Sequence, residues 1–299
     1  MTTAANKIKK SRGDRIFSAV NYAVAAIIIL LMLYPMYFII IASISNPTDV
    51  SAGNITFIPT DITFKGYFKL FEYDSLWTGY RNTILYTLVG SAFNLIVNIP
   101  AAYALSRKDL VGKKWITAIF LIPMFFSGGL IPTYMNIREF GLTDTFWVMV
   151  LPFSVITYYI IVARTFFSNS LPEDMLEAAQ IDGCGNLRFF FRIALPLSKA
   201  VIAVVALWSA VGHWNSYFNA LIYLRNEELY PLQIILRNIL ISNQTISSMT
   251  TGSAAVEAKQ FADLIKYAVI VVSSAPIMCL YPFVQKYFNQ GVMIGALKG

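Results

Sequence analysis

Apolar residues gather in six runs, near 16–42, 82–105, 115–137, 145–167, 197–221 and 266–288, with polar segments between them. A helix needs about 20 largely apolar residues to cross a bilayer. The pattern therefore predicts six transmembrane helices and an all-α integral membrane protein. Away from their ends, the runs contain only two ionisable side chains, Arg164 near a boundary and His213.

The segments between the runs differ in kind. Residues 43–81 alternate turn formers (Asn46-Pro47, Gly53-Asn54, Pro59) with aromatics such as Phe57, Tyr67 and Trp77. A connection that long is expected to be folded or functional. Ser106 to Lys114 is a tight basic loop, and Gly141 to Asp144 a short turn. Residues 222–265 hold an apolar helical run (Leu232 to Ile241), a Ser/Thr/Asn patch (Ser242 to Ser253) and an amphipathic stretch (Ala254 to Lys266). This reads either as a docking surface for an outer partner or as a plain connector.

Composition agrees with the membrane reading: 57% of the 299 residues are hydrophobic and 13% charged, with a mean hydropathy of +0.60. Soluble domains carry about 25% charged residues. Basic residues precede the first run, but it lacks a convincing small-residue cleavage site and is expected to remain as a helix. Lys and Arg favour cytoplasmic loops. With the N-terminus inside, fifteen of the 23 fall on the inner side and eight on the outer. Both termini are thus expected in the cytoplasm, as tails 1–15 and 289–299. The net charge of +7 is a topology signal, and nothing in it asks for nucleic acid. Cys184 and Cys279 lie in different environments, which argues against a disulfide or a metal pair.

The chain lacks a phosphate-cradling P-loop, since Gly112-Lys113-Lys114 has neither the upstream glycine nor the Ser/Thr. No His/Cys set has zinc spacing. A proton-driven carrier usually buries a titratable relay, yet the apolar runs offer no Asp, Glu or Lys beyond their ends. Energy for uphill transport is expected from another subunit. Asn94, Asn98, Pro100, Pro123, Gly128-Gly129 and Pro132 interrupt the second and third runs. Such residues serve either helix packing or a wet pathway.

The polar stretch 169–196 stands out between two apolar runs. Ser170-Leu171-Pro172-Glu173 fits a capping box, followed by about three helical turns over 171–182. Ala178 and Ala179 leave a narrow waist, Gly183 suits a left-handed helix stop, and Asn186 can cap a second short helix over 187–193. Pro196 then opens the next run. Composition alone fits a rigid protruding foot or an amphipathic loop lying on lipid.

Glu177-Ala178-Ala179, then Gly183, then Ile193-Ala194-Leu195-Pro196 resembles the cytoplasmic EAA loop of ABC importer permeases. Arg81-Asn82-Thr83 is similar to the usual start of that family's transmembrane domain, here 77–288. His213-Trp214-Asn215-Ser216-Tyr217-Phe218-Asn219-Ala220-Leu221 resembles the signature of its carbohydrate-uptake branch. The ending Gly291 to Gly299 resembles the tail of the maltose-type second permease. The resemblance implies a type I ABC importer permease fold and a chain that catalyses nothing itself. It implies a homologous second permease, two copies of an ATP-binding subunit that hold ATP and Mg, and an extracytoplasmic solute-binding protein. It also implies that Glu177, Ala178, Ala179, Asp182, Gly183, Leu195 and Pro196 couple the chain to the ATPase, and that the solute is a sugar, with a polysaccharide fragment preferred.

Sugars are held by aromatic faces and by amide or hydroxyl hydrogen bonds. Tyr86, Asn94, Asn98, Trp208, His213, Asn215, Tyr217 and Asn219 supply those groups in the apolar runs. Each also has a plain reading as a packing residue. The alternatives are the same fold carrying a non-sugar solute, and a gradient-driven carrier.

Overall fold

The computed structural model describes residues 11–249 and 253–296, and among these every regular element is helical. The chain forms two compact units, one containing the chain up to Leu70 with Ser242–Val271, the other Phe71–Ile241 with the chain from Val272.

In the first unit, α1 (Arg12–Ser43) starts earlier than the hydropathy pattern suggests. Ser11 and Asp14 form a reciprocal capping box, with N–H to side-chain oxygen distances of 3.0 and 3.1 Å. From Arg12 to Ile40 α1 is almost wholly exposed, and it becomes buried only at Ile41–Ser43. The long connection after it is folded, as its length implies. It contains α2 (Pro47–Ala52) and α3 (Lys65–Phe71). The Tyr37 hydroxyl donates to the Phe57 carbonyl, and Ser43 and Tyr67 share a 2.7 Å hydrogen bond.

The second unit is organised by α4 (Asp74–Ser106), which packs along α7 (Thr157–Ser170) and α11 (Lys199–Trp214). Between them come α5 (Lys113–Phe125), α6 (Leu130–Glu139), α8 (Glu173–Ile181), α9 (Asn186–Phe189) and α10 (Leu195–Leu197). After α11 follow α12 (Tyr217–Tyr223), α13 (Leu232–Met249), whose residues from Ser242 belong to the first unit, and α14 (Ser253–Ala296), whose residues from Val272 belong to the second. Of the sequence-predicted tails, residues 1–10 and 297–299 lie outside those described.

Among the described residues, three helical stretches are long and apolar enough to span unaided: Arg12–Ser43, Asp74–Ser106 and Ala258–Leu280. Two bent pairs raise the count to five. The run 115–137 is not straight: α5 and α6 meet at 115°, because Gly128-Gly129 breaks the helix and Gly129 adopts φ +86°. The run 145–167 is not one helix either. A 3-10 turn (Phe146–Met149) leads into irregular backbone before α7 begins. The run 197–221 breaks at Asn215-Ser216, between α11 and α12. Apolar composition reports where a chain meets lipid, but it does not see breaks that neighbouring side chains satisfy.

Candidate functional site

Two polar features of the second unit are candidates for function. The first is the foot over 169–196. Its α8 is anchored from below by Leu176, 3% exposed, within a cluster that includes Phe167, Phe189 and Tyr103. Ala179 also packs against this cluster, whereas Glu177, Ala178, Ile181 and Asp182 face outward. The helix closes on Gly183 at φ +76°. The Gly183 N–H donates to the Gln180 carbonyl (2.9 Å) and the Cys184 N–H to Ala179 (2.8 Å). This is the paired hydrogen bonding of a Schellman stop, with half-buried Cys184 packing beside Ala179 on the same cluster.

Two local expectations fail. Ser170 is the last residue of α7 and does not cap α8, whose N-cap is Pro172 at ψ 146° with no side-chain bond. Proline fixes an extended entrance by itself, so the serine is not needed there. Gly185, not Asn186, precedes the second helix, whose path then widens into a π turn over Phe190–Ala194. The amino end of α8 is tied by an ion pair between Lys108 and Glu173 (2.5 Å). The Glu173 carboxylate, as hydrogen-bond acceptor and negative neighbour, raises the Lys108 pKa.

The second feature is a cleft of about 180 Å³ partway along α4, lined by Asn94, Met149, Phe153, Ile156, Tyr159, Ser209, Gly212, His213, Ser216 and Asn219. Ser209, Gly212 and His213 follow helical spacing at the end of α11 and so share a face, while Ser216 joins them from the break before α12. The buried His213 ring lies on α4 at Gly90, where even a methyl group would collide with it. The Asn94 amide pairs fully when its oxygen accepts from Ser209 (2.6 Å) and its nitrogen donates to the Ser154 carbonyl (2.8 Å).

Asn98, one turn on, donates to the carbonyls of Asn94 (2.6 Å) and Ser154 (2.7 Å) and accepts from the Ile156 N–H (2.9 Å). It supplies hydrogen-bond partners to the Ser154 carbonyl and the Ile156 N–H in the irregular backbone before α7. Behind the cleft, Trp208 stacks on Tyr159 at 5.8 Å between centroids and tilts against Tyr158 at 5.3 Å.

The Asp74 end of α4 is stitched to residues 225–232. Asn82 donates to the carbonyls of Glu228 and Tyr230, Tyr86 to that of Leu229, and Thr83 accepts from the Leu232 N–H. Asp144, at φ +58°, accepts from the N–H groups of Arg225 (2.7 Å) and Asn226 (2.8 Å). These bonds, first that from Asn226, hold its carboxyl below the usual aspartate range.

The family described as binding-protein-dependent transport system inner membrane component matches residues 3–294. The chain belongs to this family. A Bacillus subtilis (strain 168) polygalacturonan/rhamnogalacturonan transport system permease protein, YtcP, is 34% identical over 96% of this chain and 99% of its own. Protein LplC of the same organism is 35% identical over 97% of each. A solved bacterial ABC transporter involved in import of the acidic polysaccharide alginate contains a chain that superposes with TM-score 0.82. That chain is 34% identical and covered in full, against 94% of this one.

In this permease the sequence-predicted pathway residues separate. Asn94, His213 and Asn219 line the cleft, with Trp208 behind Tyr159. Tyr86 is fully buried and spends its hydroxyl on Leu229; Asn98 is a backbone clamp. Asn215 caps the end of α11 through the Val211 carbonyl, and Tyr217 lies beneath the Arg237 guanidinium. The structure adds Tyr159, Ser209 and Ser216. The i, i+4 spacing of Ser209 with His213 on α11 was a usable signal for Ser209; for Tyr159 and for Ser216, which lies past the helix end, there was none. In the foot, Glu177, Ala178, Asp182 and Pro196 are exposed, while Ala179 and Leu195 pack inward.

Proposed function

We propose that the chain is one permease half of an ATP-driven ABC importer for an oligosaccharide released from a larger polysaccharide. An extracytoplasmic solute-binding protein delivers the solute, and a homologous second permease completes the pathway. Two ATP-binding subunits, which carry ATP and Mg, dock against the foot. The chain spans the cell membrane six times with both termini cytoplasmic, the bent α5–α6 pair, the broken segment 145–170 and the α11–α12 run each crossing once. The lysine- and arginine-rich side then coincides with the foot.

The observation that carries this reading is the construction of the foot. A short helix exposes Glu177, Ala178 and Asp182 and is held from below by Leu176 and stopped by Gly183. Such a foot can transmit a push without deforming. ATP-driven closure of the ATPase dimer draws the two feet together and opens the pathway outward, and hydrolysis reverses it. Inside the cleft, Asn94, Ser209, Ser216 and Asn219 are neutral hydrogen-bonding groups matched to hydroxyls. The Tyr159–Trp208 stack supplies an aromatic wall. Relatives named for polygalacturonan/rhamnogalacturonan and for alginate support a saccharide solute.

The test is uptake by vesicles holding the four-subunit complex and loaded with ATP, supplied with binding protein and labelled oligosaccharides of uronic acids or neutral sugars. Uptake that requires both ATP and binding protein is expected, together with cross-linking from a cysteine at Ala178 to the ATP-binding subunit. Uptake driven by an ion gradient alone would overturn the importer reading, and uptake restricted to non-sugar solutes would overturn the saccharide.

A further inference from the structure

A groove of about 590 Å³ runs beside the foot, lined mainly by Pro100, Ala104, Leu110, Leu187, Phe190 and Phe191. Its walls are mostly apolar, with Asn186 and Asp109 also in the lining, and Arg107 lines it with a side chain only 16% exposed. Arg107 also lines an adjoining polar cavity of about 360 Å³, shared with Ser106, Lys108, Lys113 and Glu173. One guanidinium thus stands between an apolar groove and a polar cavity. We propose that this site binds one anionic phospholipid, with its phosphate on Arg107 and an acyl chain lying along α4 in the groove.

The depth fits such a ligand. Trp115, exposed and next to Lys113-Lys114, has the amphipathic character of a residue at headgroup level. Pro100 lies seven residues along α4 from Arg107, or about 10 Å at the helical rise, so the deep end of the groove reaches hydrocarbon. Leu187 and Phe191, one turn apart on the foot's second helix, are 76% and 63% exposed. An acyl chain covers these apolar faces.

Charge also fits. Arg107 pairs with Asp109 through Nε at 3.4 Å, but a guanidinium has five N–H donors, so that pair does not exhaust it. Positive charge is crowded here: burial, then Arg164 and Arg107, push the Lys113 pKa down. A phosphate relieves that crowding, and Arg188 and Arg192 on the same stretch of the foot add attraction. Because Leu187 and Phe190 belong to the foot, the bound lipid braces the segment that follows α8. The proposal requires only that the Ser106 end of α4 meets a membrane–water boundary, and it stands apart from the transport reading.

Native mass spectrometry of the purified permease complex, delipidated and titrated with phosphatidylglycerol or phosphatidylcholine, tests it. One phosphatidylglycerol per copy of this chain is expected, preferred over phosphatidylcholine about five- to tenfold. Arg107→Gln should remove the preference, and Ala104→Trp, which fills the groove from an exposed position, should remove binding of both lipids. Should Ala104→Trp prevent assembly, Leu187→Asp on the exposed rim replaces it with the same expectation. Retention of phosphatidylglycerol by the groove-filling variant, or equal binding of both lipids by the wild type, overturns the proposal. So does displacement by millimolar inorganic phosphate, which marks a free-anion site. A photo-cross-linker at Leu187 that captures a protein subunit instead of lipid assigns the groove to a protein contact and likewise overturns it.

Discussion

In the foot, the residues that set the shape are nearly consecutive: Pro172 opens α8, Leu176 and Ala179 face inward, and Gly183 ends it. In the cleft, Asn94 comes from α4, Tyr159 from α7, Ser209 and His213 from α11 and Asn219 from α12. The foot exposes its polar residues and buries an apolar anchor. The cleft hides polar residues inside an apolar unit and has to satisfy each one. A shape written locally is robust to its surroundings, whereas one assembled over more than a hundred residues of sequence depends on every partner. In the proposed transport cycle, the foot is the element pushed as a body and the cleft the site that such a push opens.

The largest effect that bears on this contrast is expected at Gly183. A proline there cannot adopt the left-handed φ and lacks the N–H given to Gln180. Gly183→Pro should lower transport more than tenfold, the scale of a lost interface hot spot of about 2 kcal/mol or more. Membrane insertion should stay intact, as followed by uptake alongside quantitative blotting of membranes. Loss of insertion would mean that the foot is not an independent local shape.

Next comes Asn98→Leu, which leaves the Ile156 N–H unpaired and takes one partner from the Ser154 carbonyl. About 2–3 kcal/mol of stability should be lost, read as earlier thermal unfolding of the purified complex, with ATPase docking at the foot retained. An unchanged melting curve would show that the irregular segment needs no clamp.

A pair at the foot's waist gives a smaller and more discriminating effect. Ala178 is exposed while Ala179 packs on the inner cluster. Ala178→Trp should weaken ATPase association with little change in melting. Ala179→Trp should lower the melting temperature as well, through overpacking of about 1–3 kcal/mol. Equal behaviour of the two in both assays would erase the distinction between docking face and anchor.

The smallest effect concerns Asp144 and pH. Its carboxyl is held below the usual range by the N–H groups of Asn226 and Arg225. A depressed folded-state pKa gives stability that is fully present above the unfolded value of about 3.9 and is lost as pH falls through the folded value. Asp144→Asn should therefore melt slightly earlier than the wild type at neutral pH, the gap closing as acid takes the pH down through the folded value. A gap that is constant with pH would mean that the carboxylate charge is not what holds residues 225–226.

The foot was the more legible of the two. Glycine at the stop and the Glu-Ala-Ala run announced it, and Gly183 takes the left-handed conformation expected of it. Only its caps were misread, because Pro172 can open a helix with no help from Ser170. For the cleft, the sequence supplied a pool of amides and aromatics without dividing them. Asn94 and Asn98 look alike in sequence, yet one faces the cleft while the other clamps backbone. Asn82 and Thr83 likewise gave no hint that they hold residues 228–232.

Hydropathy and charge by themselves determined that this chain is a helical membrane protein and that a polar stretch, the foot, lies between two of its apolar runs. Those properties follow from burial of side chains in lipid and from backbone conformations of single residues, both local. Tertiary structure alone decided that three runs are bent or broken, and which polar groups reach the cleft. The reason is that a broken helix in an apolar setting survives only where a distant side chain, such as Asn98, supplies the missing hydrogen bonds.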